Sequence, residues 1–167
     1  FETLTPAGKR ARIARDVIKQ LDAKKFVAKA GRFFSPVDYL PEESVNWKTT
    51  VKTYENCSVC ALGAAFCSLI KSGTEEDVTG ETATNENVVY DRLSRYFDTR
   101  TLAQIESLFE GTIWNRRYVP VVFRSADNDW EVASELVSKC RDDEERLRLI
   151  MGNIIKNRGN FKWEEMV

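Results

Sequence analysis

A run of fifteen residues without a charged side chain, Asn56 to Ile70, constrains the fold of this chain more than any other feature. Wound into a helix, the run is apolar on nearly every side, and such a helix belongs in a protein interior with partners on several faces. It is too short to span a membrane, which takes about twenty apolar residues. Glu55 and Asn56 supply an acid and a cap before the run, and Ser72 with Gly73 ends it. We therefore predict a buried central helix over residues 56–71 and no membrane partner.

Further helices are predicted around this central one from apolar residues at helical spacing and from capping residues. Thr5-Pro6 combines a hydroxyl N-cap with a proline at the first helical position, which predicts a helix over residues 6–23. Later helices are predicted to begin near residues 84, 98, 129 and 142. The fold class that follows is mainly α: one compact, irregular domain over residues 1–167, with about six helices.

Two segments lack a helical pattern and predict minor β or extended structure. Residues 26–34 place apolar side chains around Gly31, and residues 117–123 contain Pro120, which restricts any strand there to the edge of a sheet. Pro36 and Pro41 predict a loop over residues 35–46. Residues 72–84 are predicted to form an acidic loop, and residues 1–4 to be flexible.

The charge of the chain is balanced overall but unevenly distributed. The net charge of −1 gives no general attraction to nucleic acid or anionic lipid. Residues 1–32 nevertheless carry nine Lys/Arg against three acids, and residues 73–110 carry nine acids against three Arg. Such an asymmetry can steer a charged partner, or it can reflect solvated helix faces that partly neutralise each other. With no recognisable secretory signal and four cysteines, we expect reduced thiols and a cytoplasmic location.

The chain contains no histidine. Histidine is the usual general base near neutral pH and the commonest metal ligand, so Ser-His and Cys-His nucleophile pairs are excluded within the chain. Catalysis on carboxylates, lysine or cysteine stays open. No phosphate-binding glycine loop is present, because the eight glycines are scattered. We expect a protein that is not an enzyme and holds no cofactor.

Cys57-x-x-Cys60 is the one recognisable reactive motif. At the start of a helix such a pair has a lowered thiol pKa and serves redox proteins. The competing interpretation is packing, because Cys57, Cys60, Ala64 and Cys67 fall on one stripe of small side chains in the predicted helix. Cys57, Cys60 and Cys140 supply three zinc ligands at most, without a second close cysteine pair, and we predict no metal site.

The exposed candidate for recognition is the segment Trp114-Asn-Arg-Arg-Tyr118. Aromatic residues beside Arg116 and Arg117 are typical of interface hot spots and also stack on bases. The alternative is that Trp114 and Tyr118 anchor a loop to the core, with solvated arginines between them. Basic residues of the first helix are expected to extend this surface. Arg12 and Lys19 are the predicted binding residues, beside Lys9 and Arg10.

Three segments carry a resemblance to a known group of proteins. They are Ile13 to Leu21, Cys57 to Ala64 (Cys-Ser-Val-Cys-Ala-Leu-Gly-Ala) and Glu145 to Gly159. Together they resemble small helical accessory proteins of phages and prophages. The resemblance covers about a quarter of the chain and implies a small accessory protein that binds host or defence machinery. Its motifs are packing patterns, so no functional residue is carried over.

These observations lead to one functional hypothesis and two alternatives. The first is a non-enzymatic binding protein, a phage-type accessory factor that inhibits or redirects a host or defence macromolecule; a protein partner is favoured over nucleic acid. The second is a protein that binds or sequesters a nucleotide-like small molecule through Arg116, Arg117 and aromatic stacking. The third is a redox enzyme that uses the Cys57 thiol.

Overall fold

The computed structural model describes residues 1–31, 34–36, 57–72, 86–111 and 129–166, and it is mainly helical as predicted. The described residues form six α-helices, a small sheet of three short strands and a final 3-10 turn at Trp163–Glu165. The helices are α1 (Pro6–Asp22), α2 (Ala61–Lys71), α3 (Glu86–Ser94), α4 (Thr99–Glu110), α5 (Asp129–Lys139) and α6 (Asp143–Lys156). The strands are β1 (Phe26–Ala28), β2 (Phe34–Pro36) and β3 (Cys57–Val59).

Helix α2 is the centre of the core, as the uncharged run predicts. Every residue from Ala61 to Ile70 is buried, and the helix packs against α1, α3 and α4. The predicted start of this helix at residue 56 is wrong, because Cys57–Val59 is a strand and α2 begins at Ala61. The Cys60 thiol serves as the N-cap and accepts a hydrogen bond from the Gly63 N–H at 3.4 Å.

The sheet has the order β1-β3-β2, with β3 in the middle. Strand β3 pairs in parallel with β1, aligning Phe26 with Cys57, and antiparallel with β2, aligning Pro36 with Cys57. The prediction of a short strand within residues 26–34 is confirmed. The prediction of a loop from residue 35 is corrected, because Ser35 and Pro36 belong to β2. A proline is compatible with this position because β2 is an edge strand.

Helix boundaries follow the capping residues read from the sequence. Thr5 Oγ1 accepts the Gly8 N–H at 3.1 Å, and an Asp98 carboxylate oxygen accepts the Thr101 N–H at 2.9 Å. Helix α4 ends at Glu110 and is capped by Gly111, whose φ of 68° is the left-handed conformation that glycine adopts without strain. These side chains satisfy backbone groups that a helix end leaves without a partner.

The start of α6, predicted near residue 142, carries the Asp142-x-x-Glu145 pattern of a capping box, with one difference in its hydrogen bonds. The Asp142 carboxylate accepts the Glu145 N–H at 2.8 Å, as expected for an N-cap. The Glu145 carboxylate reaches back to the N–H of Arg141, at 2.7 Å, rather than to that of Asp142. The Glu145 side chain therefore satisfies the backbone N–H of the residue before the cap. The Asp142 and Glu145 carboxylates together hold the turn between α5 and α6.

Helices α1 and α6 form the most extensive helix pair of the described fold. At one end of the pair, Arg148 of α6 donates to Asp22 at 2.7 Å. At the other, the chain after α6 folds over the start of α1, where the buried Gly159 approaches the backbone of Ala7. Contacts near both ends hold the two helices together along their length.

The predicted extended segment at 117–123, the acidic loop at 72–84 beyond Ser72, and most of the predicted loop at 35–46 lie outside the described residues. The flexibility predicted for residues 1–4 stays a prediction. The Phe1 ring contacts the Tyr96 ring edge-on, with the two ring centroids 5.7 Å apart.

Candidate binding surface

The outward side of α1 carries three exposed cationic side chains, Arg12, Arg15 and Lys19, which we call the basic face. At about 100° per residue these positions fall within about 60° of one another around the helix. They extend over about 10 Å of its length, at 1.5 Å per residue. The opposite side of α1 is held in the core through Ile13, Val17 and other buried residues. The helix therefore cannot rotate to hide these charges.

The three cations of the basic face have no hydrogen-bond or ion-pair partner within the part of the chain that the structure describes. Cations on α5 and α6 differ in this respect. Lys139 lies 2.6 Å from Glu135, and Arg148 contacts both Asp22 and Glu144. The basic face is thus a concentration of charge that the described fold leaves unneutralised.

Two residues assigned to this face by sequence have other roles. Arg10 turns away from it and donates to three acceptors: the Gly159 carbonyl at 2.5 Å, the Tyr96 carbonyl at 3.0 Å and Asn160 Oδ1 at 3.0 Å. The half-buried Lys9 lies over the Phe1 ring, 5.6 Å from its centroid. Arg12 and Lys19 are exposed, as the binding prediction requires.

An apolar side chain borders the basic face at its N-terminal end. Leu4 is 40% exposed and lies over Gly8, where an added Cβ would be 3.4 Å from the Leu4 Cβ. Gly8 precedes Arg12 by four residues and shares its side of the helix. The outward surface of the N-terminal region therefore combines one exposed leucine with three unpaired cations.

The other predicted binding residues, Trp114, Arg116, Arg117 and Tyr118, lie outside the described residues. The structure consequently does not bring this segment into the candidate surface, and its part in recognition stays a prediction.

The thiols have surroundings opposite to those predicted for a reactive pair. Cys57 belongs to β3 rather than to a helix N-terminus, and both it and Cys60 are buried. Burial raises the pKa of Cys57 to about 11, against a smaller lowering by the Lys71 ammonium. Burial also raises the pKa of Cys60 to about 12 and that of Cys67 well above its usual range. These sulfurs are protonated at neutral pH, and the thiolate is the reactive form.

A polar cluster lies between α1 and α2, around Gln20, a residue type that is expected on the solvent side of a helix. Gln20 is only 7% exposed; its amide oxygen accepts a hydrogen bond from Lys71, and its amide nitrogen donates to Asp16 at 3.3 Å. Partial burial lowers the pKa of Lys71, and the Asp16 carboxylate opposes that change. Position 20 follows Val17 by three residues and Ile13 by seven, and this spacing is the sequence signal of an inward orientation.

The described ranges contain neither a metal-binding cluster nor a membrane-spanning helix. Among these residues no group of three or more Cys, Asp or Glu side chains is arranged to hold a metal ion. No described helix has the length and apolar character needed to cross a bilayer.

Comparison of this chain with known protein families, with curated proteins and with solved structures finds no match. The resemblance to phage and prophage accessory proteins therefore stays a prediction from the sequence.

Proposed function

We propose that this protein is a non-enzymatic binding protein, a phage-type accessory factor that docks on a host or defence macromolecule and inhibits or redirects it. The observation that carries the proposal is the basic face of α1: Arg12, Arg15 and Lys19 are exposed, on one side of one helix, and without a partner in the described fold. Charged groups arranged in this way raise the rate of encounter with a partner of opposite charge and fix its orientation.

The surroundings of the thiols favour binding over thiol chemistry. A redox or nucleophilic cysteine needs an accessible sulfur with a lowered pKa, usually at a helix N-terminus or beside a cation. Cys57 and Cys60 are buried, with pKa values raised by that burial. The basic face, by contrast, is open to solvent on a helix fixed by its buried side.

A capture experiment with two matched variants tests the proposal. Immobilised protein is incubated with nuclease-treated bacterial lysates from several hosts, and retained proteins are quantified by mass spectrometry. The test variant is Arg12→Gln/Lys19→Gln. The control is Arg100→Gln/Lys139→Gln, which removes the same two charges from exposed positions on α4 and α5.

We expect one stoichiometric partner on the wild-type and control proteins, reduced about tenfold or more on the test variant, since rim charges govern association and orientation. A partner retained equally by all three proteins would show that the basic face is not part of the interface. Absence of any stoichiometric partner in every lysate would contradict the proposed function itself.

A further inference from the structure

We infer that the occupant of the basic face is an acidic segment of a protein, bound as a helix alongside α1. This inference rests on the proposed function, since it names the chemistry of the partner at the same surface. The carboxylates of the segment would pair with Arg12, Arg15 and Lys19, which are exposed and unpaired in the described fold.

The spacing of the three cations matches the repeat of a second helix. They occupy positions i, i+3 and i+7 of α1. A helix laid parallel or antiparallel to α1 has the same rise of about 1.5 Å per residue, so acidic residues at the same intervals meet the cations in register. Two of the three cations are arginines, whose planar guanidinium groups bind carboxylates through two parallel hydrogen bonds.

The surroundings of the three cations and the overall charge favour this occupant over a nucleic acid. Asp22 is exposed just beyond Lys19 and is paired with Arg148, whereas the Asp16 carboxylate is bonded to Gln20 and has its second oxygen buried. A nucleic acid carries a long, uniformly negative backbone that would extend past the three cations and meet Asp22, and the net charge of −1 gives no long-range attraction to compensate. A protein segment can place a neutral or basic side chain opposite Asp22.

Exposed Leu4 adds a contact that a polyanion cannot use. Its side chain borders the basic face at the N-terminal end of α1 and is 40% exposed. Burial of apolar surface at an interface is favourable in proportion to its area. An acidic helix with an apolar residue one or two turns from its carboxylates would contact Leu4 and the cations together.

The test is an NMR titration of the full ¹⁵N-labelled chain with synthetic peptides. The probe is a helical peptide of about sixteen residues, long enough to populate a helix, with glutamates at i, i+3 and i+7 and a leucine one turn away. The comparison peptide has the same composition, with its glutamates distributed around the helix. We expect the probe to shift the amide signals of α1 and to bind about fivefold or more tightly than the comparison peptide, since the three ion pairs require register.

Charge reversal supplies the matched control. Arg15→Glu should weaken binding of the probe by about tenfold, whereas Arg100→Glu, an identical change at an exposed position on α4, should stay within about twofold. Equal affinity for the two peptides, or equal effects of the two substitutions, would overturn the inference.

A third titration uses a DNA duplex of about twelve base pairs. It tests for a nucleic-acid occupant, because a polyanion binds unpaired cations through counterion release. If the duplex shifts the α1 signals and the probe peptide does not, the occupant inferred here is wrong although the basic face stands. If neither shifts them, and capture from lysate is undiminished by Arg12→Gln/Lys19→Gln, the proposed docking surface fails as well.

Discussion

Gly152 and Gly159 lie close together in the chain, yet an added methyl group would meet opposite surroundings at the two positions. Gly152 is within α6, and nothing lies within 4 Å of the position that a Cβ would occupy. Gly159 has a φ of 94°, and its Cβ would lie 1.8 Å from the Ala7 carbonyl oxygen. The identity of the residue matters at Gly159 because the backbone of α1 lies directly against it.

The same substitution should therefore have opposite effects. Gly159→Ala should lower the free energy of unfolding by about 2 kcal/mol or more, from backbone strain together with the displacement of Ala7. Gly152→Ala should raise it by about 0.5–1 kcal/mol, since alanine favours the helix. Urea unfolding followed by circular dichroism measures both changes. If Gly159→Ala did not lower the free energy of unfolding relative to Gly152→Ala, the chain after α6 would not pack on α1 as described.

Thiol reactivity is a second property set by single residues. Cys140 is the one partly exposed cysteine and the other three are buried, although burial raises the pKa of all four thiols. In the native protein at pH 7.5, an aromatic disulfide reagent should react first with Cys140 and reach the rest only on unfolding. Cys140→Ser should abolish the early phase of absorbance change. Rapid modification of Cys57 in this variant would instead revive the hypothesis of a reactive thiol.

At the scale of elements, Asp98 illustrates how a cap fixes a helix start. Its carboxylate accepts the Thr101 N–H at 2.9 Å and the Thr101 hydroxyl at 2.7 Å. Partial burial acts to raise the pKa of Asp98, but the hydrogen bonds from Thr101 outweigh it and the pKa lies below its usual value. The ionised form is therefore the stabilising one.

Replacement of this cap should cost stability in a pH-dependent way. Asp98→Ala should lower the free energy of unfolding by about 1 kcal/mol at pH 7, and Asp98→Asn by less, because asparagine also caps well. Because the folded-state pKa is the lower one, the wild-type advantage over Ala should be complete above about pH 4 and decline as the pH falls through the lowered pKa. Unfolding midpoints of the three proteins between pH 2 and 7 test this, and an advantage that grew on acidification would contradict the assignment.

Elements with local signals could be read from the sequence, and those decided by distant pairing could not. Thr5 and Asp98 mark helix starts because each cap bonds within its own turn. Cys57–Val59 lies in an uncharged stretch that suits a strand or a buried helix equally well. The parallel partner at Phe26–Ala28, remote in the chain, selects the strand. No local pattern contains that information.

The candidate surface likewise has features that the sequence predicts and features that it does not. Exposure of Arg12 and Lys19 follows from the periodicity of α1, since the apolar residues of the helix define its inward side. The roles of Arg10 and Gln20 depend on what happens to lie beside them after folding, namely the chain around Gly159 and the Lys71 side chain. By residue type, all four side chains are expected at the surface. Only the tertiary contacts distinguish Arg10 and Gln20, which are bonded within the fold, from the exposed Arg12 and Lys19.

For the whole molecule, Arg10 is a side chain that joins three distant parts of the described chain. It links α1 to the Tyr96 carbonyl after α3 and to Gly159 and Asn160 after α6. Arg10→Ala would leave two carbonyls without their donor, and hydrogen bonds to charged groups contribute about 1.5–3 kcal/mol each. We expect a loss of about 2–4 kcal/mol in the free energy of unfolding.

Two further substitutions test whether the loss of stability comes from the contacts of Arg10. Arg10→Lys should recover only part of the loss, because an ammonium lacks the planar fork that reaches three acceptors. Arg12→Ala removes an exposed and unpaired neighbour and should change the free energy of unfolding by less than about 0.5 kcal/mol. Equal effects of Arg10→Ala and Arg12→Ala in thermal unfolding would show that the Arg10 contacts do not hold the molecule together.

The pairing of α1 with α6 has a consequence for synthesis on the ribosome. The apolar side of α1 is completed by a helix that ends at Lys156, 134 residues after Asp22. At about 5–20 residues per second, translation leaves that side of α1 without its last partner for about 7–27 s. Helix α2 emerges earlier and also packs on α1, so it can cover part of the surface in the interval. Until α6 has been synthesised, α2 is therefore the helix that protects the apolar side of α1 from aggregation and chaperone binding.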